Sequence, residues 1–323
     1  MRSEAVTRTP PAQRVRRAFA SQQLRIVFVL IGLIIIMGLV SPVFLSPRNL
    51  RNVLQQISTL GILSMGMTFL MISGGIDLSV GSNISVAAVV AGMMIKAHYP
   101  AEMAIIAGLL IGCSIGLING LLAAFTRAHP FILTLGTMTL FQGVAVYITQ
   151  GFPITDLGKR FEWIGSAQVW QIPLIVILFF VVMVLCHVLL KYTKTGRVAY
   201  AIGGNEYTTY LAGIPVRRYK ILFYVIGGFF TGLAAVVLAS RISSAIPTMG
   251  ADYTLQAIGA VVIGGVPLTG GRGNVWGTLT GVLLLGVIAN GLNLLHFDAS
   301  IQYMLTGLII IVAVILHERQ SRH

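Results

Sequence analysis

Asp77 is the acid in this chain best placed to do chemistry. It stands in Met71-Ile-Ser-Gly-Gly-Ile-Asp77-Leu-Ser-Val-Gly81-Ser, behind Gly74 and Gly75 and between long apolar runs. A carboxylate at the centre of an apolar layer costs about 2.5–3.5 kcal/mol even on lenient insertion scales. Asp77 therefore belongs at a helix end or beside a cavity. Either it accepts hydroxyl protons from a passing molecule, or it caps the helix that begins near Ser79. Asn119, Gln142, Gln256, Asn290 and Asn293 are amides inside apolar runs. Amides there serve as hydrogen-bond partners between helices. They are also the uncharged donors and acceptors that a path for a neutral, polyhydroxylated molecule needs. Lys and Arg are missing from the middle of these runs, which argues against an acidic or phosphorylated one.

Other chemistries lack their residues. The chain contains no G-x-x-x-x-G-K-[ST], so it has no P-loop for ATP. It has no H-E-x-x-H or H-x-x-x-H for a metal. Cys113 and Cys186 sit in apolar runs with neither disulfide nor metal spacing.

Around Asp77 the backbone itself is informative. A second glycine-rich stretch, Val262-Ile-Gly-Gly-Val-Pro267-Leu-Thr-Gly-Gly-Arg272-Gly-Asn274, aligns with the first when Gly74 is set on Gly264 and Gly75 on Gly265. The alignment hints at an internal repeat. Such sequences end helices, and at membrane depth the freed backbone groups must be buried in protein or face a wet cavity. Paired breaks point to a transport path; two tight turns at the membrane surface are the alternative. Gly74, Gly75, Asp77, Asn119, Gly264, Gly265, Asn290 and Asn293 are the candidates for helix breaks and path.

The elements that must position these residues are apolar helices. Apolar residues make up 56% of the 323 and charged residues 10%, with a mean hydropathy of +0.89. The expected fold is an all-α polytopic membrane protein. A span needs about 20 apolar residues, and ten candidates cover 26–45, 53–73, 79–96, 103–125, 131–149, 172–190, 221–240, 252–266, 275–295 and 301–316, the third and eighth short. The expected organisation is a cytoplasmic basic tail over 1–25, one transmembrane domain over 26–316 and a cytoplasmic tail over 317–323. The net charge of +13 sits beside the spans, where basic residues set topology, and does not indicate nucleic acid. With both termini inside, sixteen of the 22 Lys and Arg face the cytoplasm. Trp163 and Trp170 flank an outer polar segment, Gln150–Gln171, with room for a short surface helix.

The longest charged stretch inside the apolar chain is 191–220. It carries Lys191, Lys194, Arg197, Arg217, Arg218 and Lys220 against Glu206. Asn205 is a good N-cap, Glu206 suits a helix N-terminus, and Gly213 with Pro215 stops the helix. Tyr207, Tyr210 and Leu211 share a face. A short amphipathic helix between two spans docks into a partner's groove or lies on the membrane with its basic residues snorkelling.

Several motifs in order resemble one family. They are Gly74-Gly-Ile-Asp-Leu-Ser-Val-Gly-Ser82, Gly116-Leu-Ile-Asn-Gly-Leu121, Pro130-Phe-Ile-Leu-Thr-Leu-Gly-Thr137, Thr195-Gly-Arg197, Ala201-Ile-Gly-Gly-Asn-Glu206, Ala212-Gly-Ile214, Ala239-Ser-Arg241, Ala260-Val-Val-Ile-Gly-Gly265, Gly270-Gly-Arg-Gly-Asn-Val-Trp-Gly277 and Asn290-Gly-Leu-Asn293. The chain resembles the membrane permeases of bacterial ABC importers for ribose and related monosaccharides, over nearly its whole length after Phe44. The resemblance implies an inner-membrane transporter component, not an enzyme, that binds no cofactor itself. ATP and Mg are implied to bind a partner ABC ATPase pair. A periplasmic or lipid-anchored sugar-binding protein is implied above, and a second permease copy or paralogue beside it. Gly203, Gly204, Asn205, Glu206, Leu211, Ala212 and Gly213 are implied to form the helix that couples to the ATPase. A stand-alone ion-coupled sugar carrier, with Asp77 as its acid, is the alternative; it has few intramembrane acids to work with.

Overall fold

Glycine spacing sets the centre of the bundle. Gly108, Gly112, Gly116 and Gly120 recur every fourth residue along the helix Ala101–Phe125. They lay its backbone directly on the helix Val216–Ile242. A Cβ at Gly112 would lie 2.7 Å from the Gly232 Cα, and one at Gly116 would meet the Tyr224 carbonyl. In a membrane, where lipid is as apolar as leucine, small residues of this kind let van der Waals contact hold helices together.

The structure, a computed structural model, describes residues 22–321. Most of the expected tail over 1–25, and the last two residues of that over 317–323, lie outside the described residues. Among these, the chain runs α1 (Gln22–Val40), α2 (Pro47–Ile72), α3 (Val80–Lys96), α4 (Ala101–Phe125), α5 (Pro130–Thr149), β1 (Ile154–Thr155), α6 (Lys159–Ser166), β2 (Gln168–Val169), β3 (Ile172–Pro173), α7 (Leu174–Tyr192), α8 (Lys194–Gly204), α9 (Glu206–Leu211), α10 (Val216–Ile242), β4 (Ser244–Ala245), α11 (Tyr253–Ile263), α12 (Val275–Leu294) and α13 (Ala299–Ser321).

The chain is an all-α polytopic membrane protein. Among the described residues six helices, α2, α4, α5, α7, α10 and α12, are long and apolar enough to cross a membrane. The other four expected spans coincide with apolar stretches that are shorter, Leu24–Val40, Val80–Lys96, Tyr253–Ile263 and Ala299–Ile309. Local chemistry starts several helices. Ser46 Oγ accepts from the Asn49 amide ahead of α2, with Pro47 at the first position. Asn274 Oδ1 accepts from Gly277 N ahead of α12 at 2.9 Å. Both are N-caps of the expected kind.

The bundle has two polar ends. One holds the strands: Ile154 pairs antiparallel with Ala245 and Thr155 with Ser244. There α6 is fastened to α10, the Gly165 amide donating to Ser240 Oγ at 2.8 Å and Ser243 bonding Glu162. Arg51 donates to Gln171 at 2.9 Å at this end. The opposite end holds α8, α9 and both glycine-rich breaks. Arg127, the 191–220 cations and Arg272 therefore sort to one end, and Arg51, Lys159, Arg160 and Arg241 to the other. The polar segment at this end carries a short helix, α6, whose Phe161 is fully buried while Trp163 and Trp170 stay exposed.

Two polar clips cross the interior beside α12. Asn49 and Asn290 exchange reciprocal amide hydrogen bonds of 2.9 and 3.0 Å. Thr68 and Thr278 share a hydroxyl bond of 2.6 Å.

Candidate functional site

The short helix α9 forms as its residues dictate. Asn205 Oδ1 accepts from the Thr208 amide at 2.8 Å. At the other end Gly213 takes a positive φ of 78°. Its amide reaches the Tyr210 carbonyl, and that of Ile214 reaches Thr209, the paired closure that favours glycine. Tyr207, Tyr210 and Leu211 are 69%, 65% and 64% exposed, so the apolar face of α9 has no cover among the described residues. Lys220 Nζ binds Glu206 Oε2 at 2.6 Å. Beside α9 lies an open groove of about 700 Å³, lined by Thr126, Tyr207, Tyr210, Arg217 and Lys220 among others. Arg217 lies over the Phe125 ring at its edge.

The sequence did not reveal α8. It starts one residue past the end of α7 at an N-cap, Thr193 Oγ1 accepting from Gly196 N at 3.2 Å, and it corrects the picture of a short helix isolated between spans. Val198, Ala199 and Ile202 are buried. Tyr200 donates to the Gly273 carbonyl at 2.7 Å, and burial pushes its phenol above the usual range, which keeps it a donor.

At its last turn α8 meets both breaks. The Gly271 amide donates to the Ile72 carbonyl, the final residue of α2, at 2.8 Å. Gly203 lies on that bond: a Cβ there would meet both the Ile72 oxygen and the Gly271 nitrogen. Gly270 stands against Gly74, where a Cβ would lie 2.6 Å from the Gly74 amide. Gly204 faces open space. Gly203 of the docking segment, Gly74 of the first break and Gly270 and Gly271 of the second thus form one backbone junction. Its closeness requires residues without side chains.

The two breaks share a cap, in a register one residue away from the sequence alignment. After α2, the Gly74 amide reaches Met71 O and that of Gly75 reaches Leu70 O. After α11, the Gly265 amide reaches Val262 O and that of Val266 reaches Val261 O. Gly74 and Gly265 carry the positive φ values, 80° and 93°. Gly74 therefore matches Gly265, and Gly264 matches Ser73. The glycine pairs look alike in sequence, but only one glycine of each pair has to adopt the left-handed conformation.

Asp77 is 2% exposed. Its Oδ1 accepts from the Ser79 amide at 2.8 Å and the Ser79 hydroxyl at 2.7 Å. Asn119 Nδ2 reaches the carboxylate at 3.2 and 3.3 Å and Ser79 Oγ at 2.7 Å. The Tyr224 and Thr134 hydroxyls bond the adjacent Ile76 carbonyl at 3.0 and 3.4 Å. This is the geometry of a buried turn stabilised by a carboxylate acceptor. Asn290 and Asn293 are elsewhere: Asn290 is paired with Asn49, and Asn293, exposed at the strand end, accepts from Gln302 at 3.4 Å.

A protein-family pattern described as "Branched-chain amino acid transport system / permease component" matches residues 49–314. The chain belongs to this family. Among relatives of this permease component, the ribose import permease protein RbsC of Bacillus subtilis (strain 168) is 44% identical over 90% of each chain. The D-allose transport system permease protein AlsC of Escherichia coli (strain K12) is 35% identical over 91% of each. The L-arabinose ABC transporter permease protein AraH of Azospirillum brasilense is 35% identical over 91% of this chain and 86% of the relative. These relatives are permeases by name, which favours the importer reading over the stand-alone carrier.

Proposed function

We propose that this chain is the transmembrane permease subunit of a binding-protein-dependent ABC importer, moving a monosaccharide or related polyol across the bacterial inner membrane. In this reading all ten apolar helices enter the membrane layer, both termini and 191–220 are cytoplasmic, and a second permease copy or paralogue completes the path. ATP and Mg bind a partner ATPase below; a periplasmic or lipid-anchored protein delivers the sugar above. The relatives' names, which span ribose, allose and arabinose, support the sugar class.

The observation that carries the mechanism is Gly203 resting on the Ile72–Gly271 hydrogen bond. Gly203, Gly204, Asn205, Glu206, Leu211, Ala212 and Gly213 form the coupling element. The exposed face of α9 takes the ATPase, and its displacement passes through one residue of α8 to the ends of both α2 and α11. Asp77, Ser79 and Asn119 hold the turn that must keep its shape while this happens. A single push thus reaches two breaks together.

Proteoliposomes holding the chain with its ATPase and binding protein test the reading. ATP-driven sugar uptake that requires both partners is expected. Accumulation by the chain alone on a proton or sodium gradient would overturn it.

A further inference from the structure

Helix α11 is too short to cross the membrane. Its eleven residues rise about 16 Å, against a hydrocarbon core of roughly 30 Å. Its end at Ile263 is fixed at the junction end, where a Cβ on Gly264 would lie 2.5 Å from the Gly277 carbonyl carbon in the first turn of α12. Tyr253 therefore stops inside the spanning layer, and the chain reaching it from β4 must descend unwound. Residues 246–252 do so in successive turns, Met249 N to Ile246 O, Ala251 N to Thr248 O and Tyr253 N to Gly250 O, each at 3.1 Å. The descent is held on several sides. Gln142 of α5 donates to the Pro247 carbonyl at 2.8 Å. The Gly250 amide donates to Ser85 Oγ at 3.2 Å, and the Gly81 amide to Thr254 Oγ1 at 3.0 Å.

One side of this descent is polar and uncovered. Thr248 and Asp252 are exposed, and Gln256, one turn on, is half-buried. Gln142 on α5 adds an amide. Tyr303 of α13 donates its hydroxyl to Asp252 Oδ2 at 2.8 Å. Lipid cannot solvate these groups, and irregular backbone at membrane depth survives only against protein or water.

We propose that this polar side is a wall of the solute path, and that Asp252 is its hydroxyl-binding residue. The inference deepens the importer reading and rests on it. A carboxylate accepts hydrogen bonds and cannot donate them, so its two oxygens suit adjacent hydroxyls of a neutral polyol. The neighbouring hydroxyls and amides supply the donors that ring and hydroxyl oxygens need. Tyr303 is a positioning residue: it occupies one lobe of the carboxylate and turns the other toward the path.

Two measurements test this. In a Cys113→Ser/Cys186→Ser background, Thr248→Cys and Gln256→Cys are expected to react with a membrane-impermeant cationic thiosulfonate. Val184→Cys, in the apolar groove on α7, is expected not to react. Equal protection of all three overturns the proposal, whatever the chain transports. In proteoliposomes with ATPase and binding protein, D-ribose, D-allose and L-arabinose serve as probes. For the probe that is carried, Asp252→Asn should lower sugar moved per ATP hydrolysed about tenfold, the equivalent of one hydrogen bond to a charged group. Tyr303→Phe should raise the half-saturating concentration of delivered sugar more than it lowers the maximal rate. A wild-type chain without ATP-driven uptake of any sugar sinks the importer reading. An active wild type with an unchanged Asp252→Asn variant sinks only the role of Asp252.

Discussion

The carbonyl of Ile72 and the amide of Gly271 meet at 2.8 Å, and Gly203 covers the bond between them. The end of a buried helix, a glycine turn far along the chain and the last turn before the docking helix therefore share one point. No side chain fits there.

Gly203→Ala is expected to disrupt that point. The added methyl would overlap backbone on both sides, and overpacking of this kind costs about 1–3 kcal/mol. Gly204→Ala, whose Cβ meets nothing, should stay within about 0.5 kcal/mol of the parent. Thermal unfolding in detergent compares the two, and uptake assays should follow the same order.

Glu206→Arg should abolish ATP-driven uptake while the protein remains in the membrane. Its pair with Lys220 is partly exposed, and such pairs contribute about 0–1 kcal/mol, so folding is spared. The Glu206→Arg/Lys220→Glu exchange restores the pair but not the acidic face of α9. Uptake that returns to normal in the exchange variant would move the role of Glu206 from docking to the intramolecular pair.

Asp77→Ala should destabilise more than Asp77→Asn. Alanine leaves the Ser79 amide and the Ser79 hydroxyl without their acceptor in a buried site, while Asn119 keeps Ser79 Oγ. Each orphaned group costs about 1–3 kcal/mol. Asparagine retains one acceptor oxygen. Equal melting temperatures for the two variants would show that the carboxylate holds nothing in place.

Asn49→Ala and Asn290→Ala form a double-mutant cycle across the reciprocal pair. Asn49→Ala leaves the Asn290 amide without its partner, and Asn290→Ala leaves Asn49 only the Phe44 carbonyl, whereas the double change removes both amides. A coupling of about 0.6–1.7 kcal/mol is expected for a bond of this kind in a membrane protein. Additive effects would assign the pair no energy of its own.

Much of this was legible in the residues. Apolar runs placed ten helices, because in lipid a run of that length has little choice but to be helical. Asn205 and Gly213 marked both ends of α9, since capping is local chemistry. Helix α8 was missed because Lys194, Thr195, Gly196 and Arg197 read as loop; its buried face exists only against other elements, α7, α2 and α10. The stripe Gly108, Gly112, Gly116, Gly120 was a visible signal for the central seam, and spacing alone could have found it. The cap register was misread by one residue because adjacent glycines are interchangeable in sequence and differ only in φ. Asn290 was grouped with the breaks, yet which distant residue an amide meets, here Asn49, is set by packing.

Helices α2 and α12 are tied at one end by Ile72 and Gly271, further along by Thr68 and Thr278, and near the other end by Asn49 and Asn290. Apolar packing in lipid gives little preference for one sliding register over another; three polar ties spread along a helix pair remove that freedom. The pair is a strut. A transport cycle that preserves these ties must hinge around it.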